Sequence, residues 1–106
     1  MPDNRPNKLS PEEATPKIRE IARLGYITPT FHFEKRMEQR KYDTQDVDLI
    51  LSKGKVRKPP EWDSDYDEWK YAVEGNAVEG DKATVIVTIV NPDEIITGKL
   101  VYSQSM

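Results

Sequence analysis

Residues 83–102, ATVIVTIVNPDEIITGKLVY, decide the fold that we expect for this chain. Residues 83–90 are continuously apolar or β-branched, which is typical of a central, buried strand. The triplet Asn91-Pro92-Asp93 then favours a turn. Residues 95–102 return antiparallel to the first strand, with Gly98 at a predicted bulge. The stretch therefore predicts an antiparallel pair of strands at the centre of a sheet.

Two further strands are predicted upstream of this pair. Apolar and polar residues alternate over 69–74, the pattern of a half-exposed strand. A shorter strand begins at Val56 and ends at Pro59-Pro60, because proline has no N–H to donate to a ladder. Residues 61–68, between the two strands, are expected to form an acidic loop.

The first predicted helix has two alternative starts. Ser10 as N-cap, with Glu13 three residues later, forms a capping box. Thr15 as N-cap instead places Pro16 at the first helical position, which avoids a proline inside the helix. In both cases Gly25 ends the helix.

Two more helices follow before the strands begin. Thr30 caps the second, which is predicted to run to about Lys41. Either Asp43 or Thr44 caps the third, which ends at Gly54. With helices first and strands afterwards, the sequence predicts an α+β domain in which two or three N-terminal helices pack on a three- to four-stranded antiparallel sheet.

Length and composition limit the domain count and the class of protein. A chain of 106 residues makes one domain, expected over residues 10–106, and residues 1–9 have no periodicity and are expected to form a flexible tail. The absence of Cys and the single His exclude disulfides, thiolate metal sites and His-rich metal sites. No apolar run approaches the roughly 20 residues of a membrane span, and no signal peptide is recognisable. We therefore expect a cytoplasmic protein without membrane contact, metal or cofactor.

The charge is unevenly divided along the chain. Residues 1–60 carry 13 basic and 9 acidic side chains, a net charge of +4, whereas residues 61–106 carry 3 and 10, a net charge of −7. Such asymmetry indicates a polyanionic partner for the basic part. The alternative is a solvated surface with a chance imbalance.

The pattern that points most directly to chemistry is His32, Arg36 and Arg40. Residues four apart on a helix differ by about 40° in direction and about 6 Å along the axis, so the three share one edge. His32 lies in the predicted first turn, where free N–H groups and the helix dipole favour anions. The dipole and Arg36 both disfavour imidazolium, so a neutral His32 is expected, able to accept a proton at pH 7.

This edge has the groups that RNA cleavage needs. A base removes the proton of the 2′-hydroxyl, and cations stabilise the charge that builds up on phosphorus. Arginine can also hold a phosphate bidentately. The alternative is an exposed basic helix face whose arginines pair with neighbouring carboxylates.

Other basic side chains extend the predicted phosphate-binding surface. Lys35 lies on the same helix, and Lys55 and Arg57 belong to a basic run beyond the third helix. Trp62, Trp69 and Tyr71 are candidate base-stacking platforms, with core or cross-strand packing as the alternative. The substrate-binding residues predicted from charge are therefore Lys35, Lys55 and Arg57.

Residues 21–54 also carry a recognisable spacing of glycines, helix caps and basic residues. Its members are Gly25, Ile27, Thr30, His32, Arg36, Met37, Arg40, Asp46, Val47, Leu51 and Gly54. This pattern resembles the bacterial family catalogued as domain of unknown function 4258, and the match continues loosely through the predicted strands. Phe33 departs from the alanine usual in that family and enlarges a packing position beside His32.

That family is similar to the RelE- and BrnT-type toxin ribonucleases, in which helices precede an antiparallel sheet that holds the RNA-cleaving residues. The resemblance implies a RelE-like fold and a catalytic or phosphate-binding role for His32, Arg36 and Arg40. It also implies that polar strand residues complete the site: Tyr71, Thr88 and Tyr102.

Two functions follow as hypotheses. The first is a toxin-like, metal-independent endoribonuclease that acts on RNA phosphodiesters, alone or at the ribosome, with an antitoxin protein as partner. The second is a non-catalytic α+β module whose basic helix edge binds a nucleic acid or a protein. The oligomeric state does not follow from the sequence.

Overall fold

The α+β class is confirmed by the computed structural model, in which three helices precede most of the sheet, within the predicted two or three. The structure describes residues 5–102, and for Tyr102 it describes the backbone alone. Along this part of the chain the elements are α1 (Pro11–Leu24), β1 (Tyr26–Pro29), α2 (Phe31–Arg40), α3 (Thr44–Lys53), β2 (Lys55–Val56), β3 (Glu61–Asp63), β4 (Glu68–Asn76), β5 (Lys82–Asn91) and β6 (Glu94–Tyr102). Within the described residues, no helix is long and apolar enough to cross a membrane.

The sheet is larger than predicted, and it is mixed. Its strand order is β1-β6-β5-β4-β2, and β3 also pairs with β4. The prediction of three or four antiparallel strands is wrong in two places. Tyr26–Pro29, between two predicted helices where no strand was predicted, pairs in parallel with β6, and Glu61–Asp63, expected in a loop, pairs antiparallel with β4. Strands of three or four residues are too short to show the alternation by which strands are recognised in a sequence.

The central pair of strands forms as the sequence predicts. β5 and β6 are antiparallel along their whole length. The pairing passes from Ile86 and Lys99 to Val87 and Thr97, which leaves Gly98 as the extra residue. The predicted bulge at Gly98 is therefore confirmed.

The first helix is capped by Ser10 and begins at Pro11, so the capping-box alternative is correct. Ser10 N–H donates to Glu13 Oε1 at 2.9 Å, and Glu13 N–H donates to Ser10 Oγ at 3.2 Å. Pro16 lies inside the helix, after these bonds have fixed its first turn. The other two helices begin at the predicted caps Thr30 and Asp43.

The hydrophobic core lies between the helices and one face of the sheet. Phe33 of α2 is completely buried, and Met37 packs beside it half-buried, as the four-residue spacing predicts. The other large, fully buried side chains are Ile18, Ile21, Ile50, Leu51, Val56, Val73, Val85, Val87, Ile95 and Leu100. Since α2 buries its Phe33 side, its basic edge is left for the surface.

Residues 5–9 contact β4 without forming a helix or strand. Trp69 Nε1 donates to the Pro6 carbonyl at 2.7 Å, and Leu9 N–H donates to Tyr71 Oη at 2.9 Å. The flexibility expected for residues 1–9 stays a prediction, and residues 1–4 lie outside the described residues.

Candidate functional site

The predicted functional edge of α2 faces solvent. His32 is exposed in the first turn of the helix and Arg40 in the last. Arg36, between them, is half-buried, and its Nη1 donates to Gln39 Oε1 at 3.5 Å. Positions 32 and 40 are about 12 Å apart along the helix axis at 1.5 Å per residue. The edge is therefore an extended row of one imidazole and two guanidinium groups.

Phe31 is a candidate that the sequence analysis missed. Its side chain is 76% exposed, and Lys35 Nζ lies 5.7 Å from the centre of its ring. The spacing of Phe31 and Phe33 in the sequence could have indicated that Phe31 is exposed. Positions two apart point about 200° away from each other on a helix, so a buried Phe33 requires an outward Phe31. An exposed ring beside an ammonium group can stack a base next to a bound phosphate.

Arg40 also lines a cleft of about 410 Å³ near the turn between β4 and β5, together with Tyr42, Asp46 and Asp81. Burial raises the pKa of Tyr42, and the carboxylates of Asp81 and Asp46 raise it further. The guanidinium of Arg40 acts in the opposite direction and lowers this pKa. The pKa of the Tyr42 phenol therefore depends on the nearby charge of Arg40.

We expect Tyr42 to ionise above the usual pH of about 10 for tyrosine. Because the pKa is raised in the folded state, the contribution of Tyr42 to stability is complete below its unfolded pKa and is lost as the pH rises through the folded pKa. Arg40→Ala should raise the pKa further, whereas Lys41→Ala is the control. Tyrosine absorbance measured against pH tests the raised pKa of Tyr42. If the Tyr42→Phe variant shows the same titration at high pH as the wild type, the prediction is contradicted.

The predicted sheet residues lie in a different cleft, of about 640 Å³, which residues 6, 7 and 9 also line. Tyr71 is buried, and its Oη accepts the Leu9 N–H at 2.9 Å. Thr88 is buried as well, and its Oγ1 donates to Glu68 Oε2 at 2.9 Å. The side chain of Tyr102, the third predicted hydroxyl, lies outside the described part of the chain.

The predicted catalytic and sheet residues thus occupy separate places. His32 and Arg36 line neither of these two clefts, and Arg40 lines the cleft that lacks Tyr71 and Thr88. In the described residues, no group of three or more acidic or histidine side chains is arranged to hold a metal ion. Neither cleft therefore brings the His32 imidazole together with an α2 guanidinium and a hydroxyl group of the sheet.

Lys55 and Arg57 lie at the opposite edge of the sheet from α2. Both are exposed, and Arg57 Nε is 3.5 Å from Glu74 Oε1 across β2 and β4. The helix α2 packs on β6, which is three strands away from β2 in the sheet order. At about 4.8 Å per strand this separation is roughly 14 Å, so Lys55 and Arg57 do not continue the α2 edge.

Comparison with known proteins identifies a family. The family model described as "Domain of unknown function (DUF4258)" matches residues 30–98, about two thirds of the chain. The matched segment begins at the cap of α2 and ends within β6. No curated protein and no solved structure matches this chain.

Proposed function

The chain belongs to the DUF4258 family, and we propose that it binds single-stranded RNA along the exposed edge of α2. The observation that carries the proposal is the exposed ring of Phe31 beside Lys35, followed by basic groups along the same helix. Proteins that bind single strands combine aromatic stacking platforms with cations that follow the phosphates. This edge offers both within one helix.

The start of α2 adds a favourable place for a phosphate. Thr30 Oγ1 accepts the N–H of Phe33 at 3.1 Å, and the N–H groups of Phe31 and His32 precede it at the positive end of the helix dipole. An RNA base stacked on Phe31 would bring its phosphate towards these groups and towards Lys35. Arg36 and Arg40 then continue the basic row for the next nucleotides.

Charge reversal on α2 is expected to abolish most RNA binding. Each lost contact with a single-stranded phosphate lowers the slope of log K against log salt by about 0.7, so Lys35→Glu with Arg40→Glu should lower it by roughly 1.4. The matched control is Lys55→Glu with Lys58→Glu, the same charge change at the other edge of the sheet. Fluorescence anisotropy with a labelled oligouridine, measured at several salt concentrations, tests the proposal. Equal losses in both variants, or no binding by the wild type, would reject it.

RNA cleavage is the second candidate function, supported by the exposure of His32 on the same edge. An RNA bound along α2 would have its 2′-hydroxyl within reach of an imidazole that can act as a base. As part of this candidate function we propose a RelE-like architecture, RNA or the ribosome as substrate, and an antitoxin protein as partner. Both candidates assign the chain to the cytoplasm.

Cleavage and binding are separated by one substitution. His32→Ala should abolish metal-independent RNA cleavage while RNA affinity and thermal stability stay close to those of the wild type. Cleavage is measured with labelled RNA and with ribosomes, in the presence of a chelator. If the wild type leaves RNA intact in both assays and its expression does not slow growth, the enzyme candidate fails and the binding proposal stands.

A further inference from the structure

Both tryptophans of the chain meet at one place on the surface. Trp62 of β3 and Trp69 of β4 are paired across the two strands, with ring centroids 5.1 Å apart and planes at 70°. Both side chains are half-buried. We call them the tryptophan pair, and residues 5–9, which lie against them, the N-terminal segment.

The N-terminal segment contacts the tryptophan pair through its cations and its proline. The Arg5 guanidinium lies 5.0 Å from the Trp62 ring and 5.8 Å from the Trp69 ring, and Lys8 Nζ lies 5.5 Å from Trp69. The indole N–H of Trp69 donates to the Pro6 carbonyl at 2.7 Å. Two cations and a proline carbonyl are thus recognised by two indole rings.

A backbone hydrogen bond fixes the end of the segment. Leu9 N–H donates to the buried Tyr71 hydroxyl at 2.9 Å, two residues before α1 begins. The same segment forms a wall of the 640 Å³ cleft, which is also lined by the carboxylates of Glu13, Asp67 and Glu68 and by the ammonium group of Lys17. Residues 61–68 carry five acidic side chains and no basic one. Lys70, which follows Trp69, pairs with two of them: its Nζ lies 2.7 Å from Glu68 Oε2 and 3.8 Å from Asp63 Oδ2.

We propose that the tryptophan pair is a binding site for an extended, basic, proline-containing peptide of another protein, and that the N-terminal segment is its intramolecular occupant. Aromatic surfaces bind proline-containing segments because such segments are already extended and lose little entropy on binding. Cations gain from the indole faces and from the carboxylates around them. A phosphate backbone would instead meet the repulsion of those carboxylates.

The N-terminal segment competes with any added peptide for the tryptophan pair. A tethered segment has an effective concentration on the order of millimolar, so a peptide in solution must displace it. Weakening the contacts of Arg5 and Lys8 should therefore strengthen the binding of an added peptide. This inference is independent of RNA binding, because none of its residues belongs to α2.

Tryptophan fluorescence reports on this site alone, because the chain has no other tryptophan. The probe is the capped peptide RPNKLS, the sequence of residues 5–10, added to the full chain and to its Arg5→Ala, Lys8→Ala double variant. Each of the two cations contributes about threefold through its ring contacts, so the double variant should bind the peptide roughly tenfold more tightly than the wild type. Both altered side chains are exposed, so the fold should be retained.

Two controls define the specificity of the effect. The Lys53→Ala, Lys58→Ala variant loses the same charge elsewhere and should bind the peptide as weakly as the wild type. A peptide with glutamate in place of its arginine and lysine should not bind. The proposal is overturned if acrylamide quenches the tryptophans equally in the wild type and the Arg5→Ala, Lys8→Ala variant. It is also overturned if the folded variant binds no peptide, or if oligouridine binds the tryptophan pair more tightly than the peptide does.

Discussion

Phe33→Ala is expected to lower the free energy of unfolding by about 3–5 kcal/mol, the largest effect on stability that we predict for a single substitution. Phe33 is completely buried between α2 and the sheet, beside Ile27, Met37 and Val47. Removing the ring loses its transfer free energy and leaves a cavity that strands and helices cannot fill. Since domains of this size are stable by roughly 5–15 kcal/mol, the variant should unfold at a much lower urea concentration.

Phe31→Ala is the matched control, because it removes the same ring from the same helix. Phe31 is 76% exposed, so the free energy of unfolding should change by less than about 0.5 kcal/mol. RNA affinity should nevertheless fall, since the loss of one stacked base costs about 1–3 kcal/mol. Urea denaturation and oligouridine binding on both variants separate packing from recognition. Equal stability losses would mean that α2 does not bury its Phe33 side.

Gly54→Ala is expected to destabilise the domain by at least about 2 kcal/mol, because it overpacks a backbone contact. A Cβ at Gly54 would lie 2.3 Å from the Ile50 carbonyl oxygen and 2.7 Å from the Glu74 carbonyl oxygen. Both atoms belong to the main chain, so the end of α3 and strand β4 would have to separate. The φ angle of −74° is accessible to alanine, so the cost is steric.

Gly98→Ala tests whether the effect is specific to that close approach. The nearest atoms to a Cβ there are Lys70 Nζ at 3.7 Å and the Ile86 carbonyl oxygen at 3.9 Å, which are ordinary contacts. The free energy of unfolding should change by less than about 0.5 kcal/mol. Thermal denaturation of both variants measures the difference, and a Gly98→Ala variant as unstable as Gly54→Ala would contradict the packing described at Gly54.

Helix boundaries were predictable because the interactions that set them are local. The caps Ser10, Thr30 and Asp43 accept hydrogen bonds from N–H groups two or three residues further on. The choice between Ser10 and Thr15 needed the structure, since Thr15 Oγ1 accepts instead from Val56 N–H, 41 residues away. A single sequence does not show such a distant partner.

For the candidate site, too, the local arrangement was predictable from the sequence and the long-range arrangement was not. The spacing of His32, Arg36 and Arg40 within one helix was enough to place them on one edge, since helix geometry is fixed by backbone hydrogen bonds four residues apart. Whether Tyr71 and Thr88 meet that edge depends on which strand lies beside which, and the sheet order puts them in another cleft.

By itself, the amino-acid sequence determined the α+β class, the approximate ends of the helices, the central strand pair with its bulge and the basic edge of α2, but it left two alternatives each for the start of α1 and the cap of α3. The tertiary structure alone decided that Tyr26–Pro29 joins β6 in parallel, that Glu61–Asp63 extends the sheet, and that the predicted site residues are spread over separate surfaces. The physical reason is the separation along the chain of the residues that interact. Caps and periodicity act over a few residues, whereas the pairing of Tyr26 with Glu94 is selected only by the burial and hydrogen bonding of the complete fold.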